Sequence, residues 1–262
     1  MLSPNFLLLN FFHPQIHLPM KMRFIPADSR GHANHGWLIA RHSFSFANYR
    51  DPERMNFGVL RVLNDDHIAP GMGFGTHPHH DMEIVTIPQK GVLVHEDSMG
   101  HKSPIRAGEV QFMSAGTGVT HSEMNGSEEE AVELQQIWVF PEKQNFAPRY
   151  DQITYTEEDL KNNFHTVVSP QGGEGVIKIG QEAYFNLGQF EAGSWTYKLH
   201  RSGDLNGVYL FLLEGSAQVG EHQLNRRDAL EIVQADEVTL EVADSARLLL
   251  MEVTQELPKW LF

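Results

Sequence analysis

Two pairs of side chains that bind divalent metals lie along the chain, and a single residue separates the members of each pair. His77 and His79 form the first pair, and His121 and Glu123 form the second. Alternate side chains of an extended strand point to the same face, so each pair would present both members on one side. Two such strands lying next to each other would bring three imidazoles and one carboxylate together. The sequence therefore predicts a metal site built from these residues.

The predicted donors restrict the metals that could bind. Imidazole and carboxylate together suit first-row ions such as Fe, Mn, Ni, Cu and Zn, whereas Ca²⁺ and Mg²⁺ prefer oxygen ligands. The chain contains no cysteine, so it offers no thiolate ligand, no thiolate nucleophile and no disulfide. Four protein ligands leave a position open on a five- or six-coordinate ion, and an open position is typical of a reactive centre.

The elements that must position these side chains are strands. Strand-like segments recur between residues 23 and 140, for example at 58–63, 83–87, 91–95 and 133–140. Gly, Pro, Asn and Asp separate them, and we interpret the run Asn64, Asp65, Asp66 as one of the turns. Many short strands with dense turns predict an all-β sandwich or barrel.

A second strand-rich block follows a connector at residues 141–151. Thr156 and the acidic residues after it predict the capped start of a short helix. The block from about residue 164 to 254 faintly repeats the strand pattern of the first one, which indicates a duplicated β unit. It contains neither a His-x-His nor a His-x-Glu pair, so the metal is expected in the first half only.

The net charge and the first twenty residues limit the classes of partner that the sequence predicts. The chain has 20 basic and 34 acidic residues, a net charge of −14, which argues against direct nucleic-acid binding. Residues 1–20 contain an apolar run at 6–12, shorter than the roughly 20 residues that span a bilayer, and they lack the features of a secretory signal. We therefore predict no membrane association and a cytoplasmic location. We interpret residues 1–20 as an extension without predicted order, with Met20 or Met22 as the natural start.

The spacing around the two pairs resembles the two sequence motifs of the cupin superfamily. The motif positions are occupied by Gly71, His77, His79, Glu83, Gly108, Gly116, His121 and Asn125. The second motif departs from the cupin pattern in three ways. Ser114 stands where cupins usually have Pro, the gap between Gly116 and His121 is longer, and Glu123 is added.

Those departures are typical of the pirin family. The chain resembles pirins, and especially the bacterial pirin-like proteins with quercetinase activity, over residues 22–150 and more faintly to about 255. The segments that carry the resemblance are RGHANHGW at 30–37, HSFSFANY at 42–49, RVLNDD at 61–66, GFGTHPH at 73–79, and SAGTG leading to HSE between 114 and 123.

The resemblance implies a bicupin fold, in which two β-barrel domains of the double-stranded β-helix type pack together with short helices. We place the metal-binding domain at residues 21–150 and a cupin-like domain without metal ligands at 151–262. The family implies one divalent metal held by His77, His79, His121 and Glu123. It implies Fe(II) as the usual occupant, with Mn, Ni, Cu or Zn as substitutes. Glu83 is expected to support the site from nearby, and the protein is expected to be a monomer.

Other residues near the motifs have less specific interpretations. His80 is expected to point away from His79, and His95 is expected on a strand surface, although it could reach the barrel mouth. Four apolar residues flank the ligand segments, and wall and core roles are equally open for them. They are Met72, Phe74, Phe112 and Met113.

The leading functional hypothesis is a metal-dependent dioxygenase that opens the heterocyclic ring of flavonols such as quercetin with O₂. Glu123 is the candidate catalytic base, because it is the only carboxylate among the predicted ligands. The alternative is an iron-binding, redox-sensing pirin that regulates protein partners without turnover. A third possibility is a cupin in which Zn or Ni has only a structural role.

Overall fold

The structure, a computed structural model, describes residues 20–262 apart from the side chains of residues 202–204. The predicted extension therefore lies, except for Met20, outside the described residues. The first part of the described chain is built from strands that are joined by short turns. They are β1 (Lys21–Ile25), β2 (Gly31–Asn34), β3 (Leu38–His42), β4 (Leu60–Ile68), β5 (Gly73–His79), β6 (Glu83–Lys90), β7 (Val92–Asp97), β8 (Lys102–Arg106), β9 (Glu109–Ser114), β10 (Val119–Asn125), β11 (Val132–Val139) and β12 (Arg149–Thr154).

The second part begins with a helix of one turn and continues in long, bent strands. Its elements are α1 (Glu157–Leu160), β13 (His165–Ser169), β14 (Ile177–Lys178), β15 (Ala183–Val219), β16 (His222–Asn225) and β17 (Ala229–Thr254). Short 3₁₀ turns lie at Ala27–Ser29 and Lys259–Leu261. The predicted helix start is confirmed, because Thr156 and Asp159 form a capping box. Within the described residues, no helix has the length and apolar character needed to span a membrane.

The strands form three sheets, and the first two enclose the N-terminal barrel. A four-stranded sheet has the order β5-β10-β7-β8, and a seven-stranded sheet has the order β12-β9-β6-β11-β4-β3-β2. The third sheet has the order β1-β17-β15-β13-β14, with β16 paired to β15, and it builds the second barrel. The predicted all-β, two-domain bicupin architecture is therefore confirmed.

The central strands β6, β9 and β11 of the seven-stranded sheet are buried along most of their length. One face lines the interior of the first barrel, and the other contributes Leu63, Phe112 and Ile137 to a large apolar core. The third sheet contributes Phe211 and Met251 to the same core. Burial on both faces explains why polar and apolar residues do not alternate regularly along β11.

The strand pairing crosses the predicted division between residues 150 and 151, which stays a prediction. β1 pairs with β17 of the C-terminal sheet, with Met22 opposite Ile232. β12 extends to Thr154 and pairs with β9 of the first barrel. Each barrel therefore takes an edge strand from the region next to a predicted boundary.

The sequence predicted that Glu83 supports the metal site from nearby. The structure shows instead that Glu83 links the two barrels. Its Oε1 accepts a hydrogen bond from the Ser114 hydroxyl, and its Oε2 accepts one from the Gly180 backbone N–H at 2.8 Å. Burial raises the pKa of the Glu83 carboxyl, although the bonds from Ser114 and Gly180 oppose the increase. The serine that replaces the usual cupin proline is thus the partner of the motif glutamate.

We expect the substitution Glu83→Ala to lower stability. It would leave the Ser114 hydroxyl and the Gly180 N–H without their partner, and an unpaired buried group costs about 1–3 kcal/mol, so the free energy of unfolding should fall by about 2 kcal/mol. Urea denaturation measures the change, with the exposed Glu53→Ala as the control. Equal midpoints for the two variants would contradict the role given to Glu83.

Candidate metal centre

The two predicted ligand pairs lie on neighbouring antiparallel strands. β5 carries His77 and His79, β10 carries His121 and Glu123, and His121 is directly opposite His77. The ring centroids of His77 and His121 are 4.4 Å apart, and each lies 4.8 Å from the His79 ring. Their nitrogen donors lie within 4.8 Å of one another. The structure therefore brings the three predicted imidazoles together.

The carboxylate of Glu123 lies next to His121 on the same strand and forms a second group of donors with His121 and His95. A register shift between His121 and Glu123 interrupts the pairing with β5, and one carboxylate oxygen lies within 4.8 Å of the nearest His121 nitrogen. Gln136 donates to both carboxylate oxygens, at 3.1 and 2.9 Å, and thereby fixes the orientation of the group. Burial raises the pKa of Glu123, although the Gln136 hydrogen bond and the nearby histidines oppose the increase.

The Nε2 atoms of His77 and His121 are both free to bind a ligand among the described residues. His77 Nδ1 lies 2.8 Å from the Gly75 carbonyl oxygen, which can only accept, so Nδ1 carries the proton and Nε2 keeps its lone pair. His121 Nε2 is buried and has no hydrogen-bond partner among the described residues. A buried polar atom without a partner is costly unless a ligand satisfies it.

The protonation of the cluster also favours a metal. Burial lowers the pKa of His79 to about 4 and that of His121 to about 2, and the neighbouring histidines add to both effects. Both rings are therefore neutral near pH 7, and neutral imidazole is the form that binds metal. Three imidazoles and one carboxylate suit a first-row divalent ion as a donor set, and the unpartnered Nε2 of His121 is the structural observation that supports this fit.

His95 is buried against this cluster, and the prediction of a surface position was wrong. Its side chain is fully buried, it lies opposite Glu123 on β7, and its Nδ1 is 3.4 Å from His121 Nδ1. Its Nε2 is 3.1 Å from Asp97 Oδ2. Because a carboxylate can only accept, His95 donates through Nε2, and its Nδ1 is left to accept from His121. The pair His95 and Asp97 thus holds His121 in the tautomer that leaves Nε2 free.

Asp97 is anchored from a second side. His101 Nδ1 lies 3.1 Å from Asp97 Oδ2, and the His101 ring stacks on Tyr150 with centroids 4.6 Å apart. Burial alone would raise the pKa of Asp97, but hydrogen bonds from His95 and His101 prevail and lower it. Asp97 is therefore a charged acceptor. The sequence predicted the strand that carries His95, but the pairing of β7 with β10 is what buries the side chain.

We expect His95→Phe to weaken metal binding by about 10- to 100-fold, which is the usual effect of removing a group that orients a metal-binding histidine. The phenyl ring fills the space but cannot accept the hydrogen bond from His121. Competition titration with a chromophoric chelator measures the affinity. His101→Phe, which leaves the His95 to Asp97 bond intact, is the matched control and should change the affinity much less. Unchanged affinity in His95→Phe would contradict the orienting role.

A cavity of about 190 Å³ opens onto the cluster from inside the barrel. Its walls contain the cluster residues together with polar and apolar side chains from β3, β4, β5, β6 and β11 and from the loop between β3 and β4. Besides the cluster, the lining residues are Leu38, Ala40, His42, Phe46, Asn64, Asp66, Phe74, Ile84, Gln136 and Trp138. The large apolar share suits an aromatic molecule, and the cluster supplies the reactive end.

The four apolar residues that flank the ligand segments, for which wall and core roles were both open, have different positions. Phe74 lines the cavity, whereas Phe112 and Met113 belong to the buried core and Met72 is exposed. His80 is exposed, points away from the cluster, and pairs with Asp81 at 2.9 Å. The structure therefore agrees with the outward position that the sequence predicted for His80.

Asn64 and Asp66 are site residues that the sequence interpretation missed, because the predicted turn at 64–66 lies inside β4. Both side chains face the cavity, while Asp65 points to the other face and pairs with Arg30 and Arg227. Burial raises the pKa of Asp66 well above its usual range, and the charges of Asp65 and Glu123 add to the increase. The apolar residues on both sides of this run are the signal that could have identified a strand.

The chain matches two family models, one in each barrel. The Pirin model matches residues 24–139, and the model described as "Quercetinase C-terminal cupin domain" matches residues 166–253. "Quercetin 2,3-dioxygenase" of Escherichia coli K12 is 40% identical over 227 residues, which is 87% of this chain and 96% of that protein. "Pirin-like protein" of Caulobacter vibrioides is 39% identical over 229 residues, which is 87% of this chain and 97% of that protein.

A solved structure is similar over nearly the whole chain. It is the bacterial pirin YhhW of Escherichia coli in complex with nickel(II), with 36% identity and a TM-score of 0.84. The similarity covers 90% of this chain and all of that one, 100%. The motifs, the double-barrel fold and this level of identity agree, and the chain belongs to the pirin family.

Proposed function

We propose that this protein is a metal-dependent dioxygenase that opens the heterocyclic ring of flavonols such as quercetin. The observation that carries the proposal is two groups of donor atoms that share His121 at the end of a largely apolar cavity. His77 and His79 complete one group, and His95 and Glu123 complete the other. The name of the Escherichia coli relative supports this activity. We propose that the ligands of one transition metal are His77, His79, His121 and Glu123. Fe(II) is our first expectation, and the nickel in the YhhW complex supports a first-row ion.

Each residue of the site has a task in this reaction. Glu123 would accept the proton of the flavonol 3-hydroxyl, because it is the only carboxylate among the proposed ligands. Gln136 holds its carboxylate in place. Trp138 and Phe74 line the cavity and contact the histidines, so they would orient the flavonol rings and exclude water. When bound, a first-row metal supplies Lewis-acid and redox chemistry at this end of the cavity.

Aerobic turnover of quercetin tests the proposal. Protein reconstituted with Fe(II), Mn(II) or Cu(II) should consume quercetin and release carbon monoxide, and His121→Ala serves as the control. No turnover with any metal, in protein that holds one metal per chain, would contradict the proposal. It would favour the redox-sensing alternative, which pull-downs with the metal reduced and then oxidised would test.

A monomeric state and a cytoplasmic location stay predictions.

A further inference from the structure

A row of polar side chains lines one side of the cavity, and the proposed reaction uses only the end of it next to Glu123. On the inner face of the seven-stranded sheet, His42, Asn64, Gln136 and Thr86 occupy registered positions on the adjacent strands β3, β4, β11 and β6. This row runs from Thr86 and Gln136, which bond to Glu123, to His42 at the far side. Asp66 lies beside the row, two residues further along β4.

Most of these polar side chains already have partners. His42 Nδ1 is 2.8 Å from Asn64 Oδ1, and Gln136 bonds to Glu123. Asp66 is different, because its side chain lines the cavity, its residue is only 5% exposed, and its Oδ1 has no hydrogen-bond partner among the described residues. A carboxyl in such a place costs stability, so a molecule in the cavity that bonds to it would remove a penalty.

The position of Asp66 fits a contact away from the reacting ring. β4 neighbours β11, and strands lie about 4.8 Å apart with a rise of about 3.3 Å per residue. Asp66 therefore lies one strand across and about 7 Å along from Gln136, the residue that holds Glu123. A flavonol with its 3-hydroxyl near Glu123 is long enough to place another ring hydroxyl at that distance.

We infer that Asp66 binds a second hydroxyl of the substrate, and that it thereby makes the site selective for polyhydroxylated flavonols over flavonols without ring hydroxyls. The inference rests on the proposed function for the occupant of the cavity and adds what that occupant must carry. The apolar walls alone would not separate the two classes, because ring hydroxyls change the area of a flat aromatic molecule very little. Discrimination by a hydroxyl needs a buried polar group that is left unpaired without it.

The test compares the binding of quercetin and 3-hydroxyflavone, which share the 3-hydroxyl and the 4-keto group and differ in ring hydroxyls. Protein loaded with redox-inert Zn(II) and kept free of O₂ allows dissociation constants to be measured without turnover. We expect the native chain to bind quercetin at least about tenfold more tightly, a factor that one buried hydrogen bond can supply. In Asp66→Ala the preference should fall to near one, through weaker binding of quercetin.

Two further variants separate recognition from a structural role. Asp66→Leu, which has no acceptor but fills the space, should lose the preference in the same way. His67→Ala changes an exposed side chain on the opposite face of β4 and should retain it. The melting temperature of the metal-free Asp66 variants should be unchanged or higher, because the unpartnered carboxyl is removed. A carboxyl with a structural role would instead lower it.

The outcomes distinguish substrate recognition by Asp66 from a structural role. Equal affinity of the native chain for the two flavonols would overturn the inference, as would a preference that survives in Asp66→Ala and Asp66→Leu. A lower melting temperature together with an unchanged preference would assign Asp66 to structure. Binding with the expected preference but no aerobic turnover would overturn the dioxygenase proposal alone. Binding of neither flavonol by the Zn(II) protein would overturn both.

Discussion

The substitution His121→Ala should remove the metal and abolish flavonol turnover. His121 belongs to both groups of converging donor atoms, with His77 and His79 on one side and with His95 and Glu123 on the other. No other single side chain joins the two groups among the described residues. Loss of one direct ligand should exceed the 10- to 100-fold loss of affinity typical of orienting groups, so we expect more than about 100-fold.

Metal content and turnover measured on the same preparation test this prediction. The native chain should hold about one metal ion per chain, whereas His121→Ala should hold almost none after dialysis. His80→Ala is the matched control, because His80 lies next to His79 but is exposed and pairs with Asp81. That control should retain both metal and turnover. Full metal content in His121→Ala would remove His121 from the proposed ligand set.

The substitution Glu123→Gln should reduce turnover by about 10²- to 10⁴-fold, the range expected when a general base is lost. Glutamine keeps the size of the side chain and one oxygen donor, so metal should bind, although more weakly. Glutamine cannot accept the proton of the flavonol hydroxyl. Turnover per bound metal ion is therefore the quantity to measure, since it separates loss of the base from loss of the metal.

Glu83→Gln is the matched control for Glu123→Gln, because it also neutralises a buried glutamate of the first barrel. Glu83 bonds to Ser114 and to the second barrel, and it does not line the cavity. We expect it to lower the urea midpoint and to leave turnover per metal ion nearly unchanged. Native turnover in Glu123→Gln would assign the proton transfer to another group.

Patterns that repeat over a few residues were predicted well. The alternation of His77 with His79 and of His121 with Glu123 predicted shared strand faces, and the two strands are neighbours in one sheet. The capping box at Thr156 was predicted from side chains three residues apart. Such features depend on backbone geometry within one element, so the local sequence contains the information.

Features that depend on the partner strand were predicted poorly. His95 occupies a regular strand position, and only the pairing of β7 with β10 places it against His121. Asp66 has the residue type of a turn, but the neighbours of β4 hold it in a strand that faces the cavity. Glu83 has the motif position of a metal-site residue, yet it bonds to Gly180 of the second barrel.

The sequence by itself determined the all-β class, the pirin family and the four candidate ligands, because residue type and spacing along a strand define them. Tertiary structure alone decided that β1 joins the C-terminal sheet and that His95 orients His121. It also decided that Asp66 Oδ1 lies at the cavity without a hydrogen-bond partner among the described residues. The physical reason is that burial and hydrogen bonding between distant residues depend on which strands become neighbours. That choice is made by the packing of the whole core and not by any one segment.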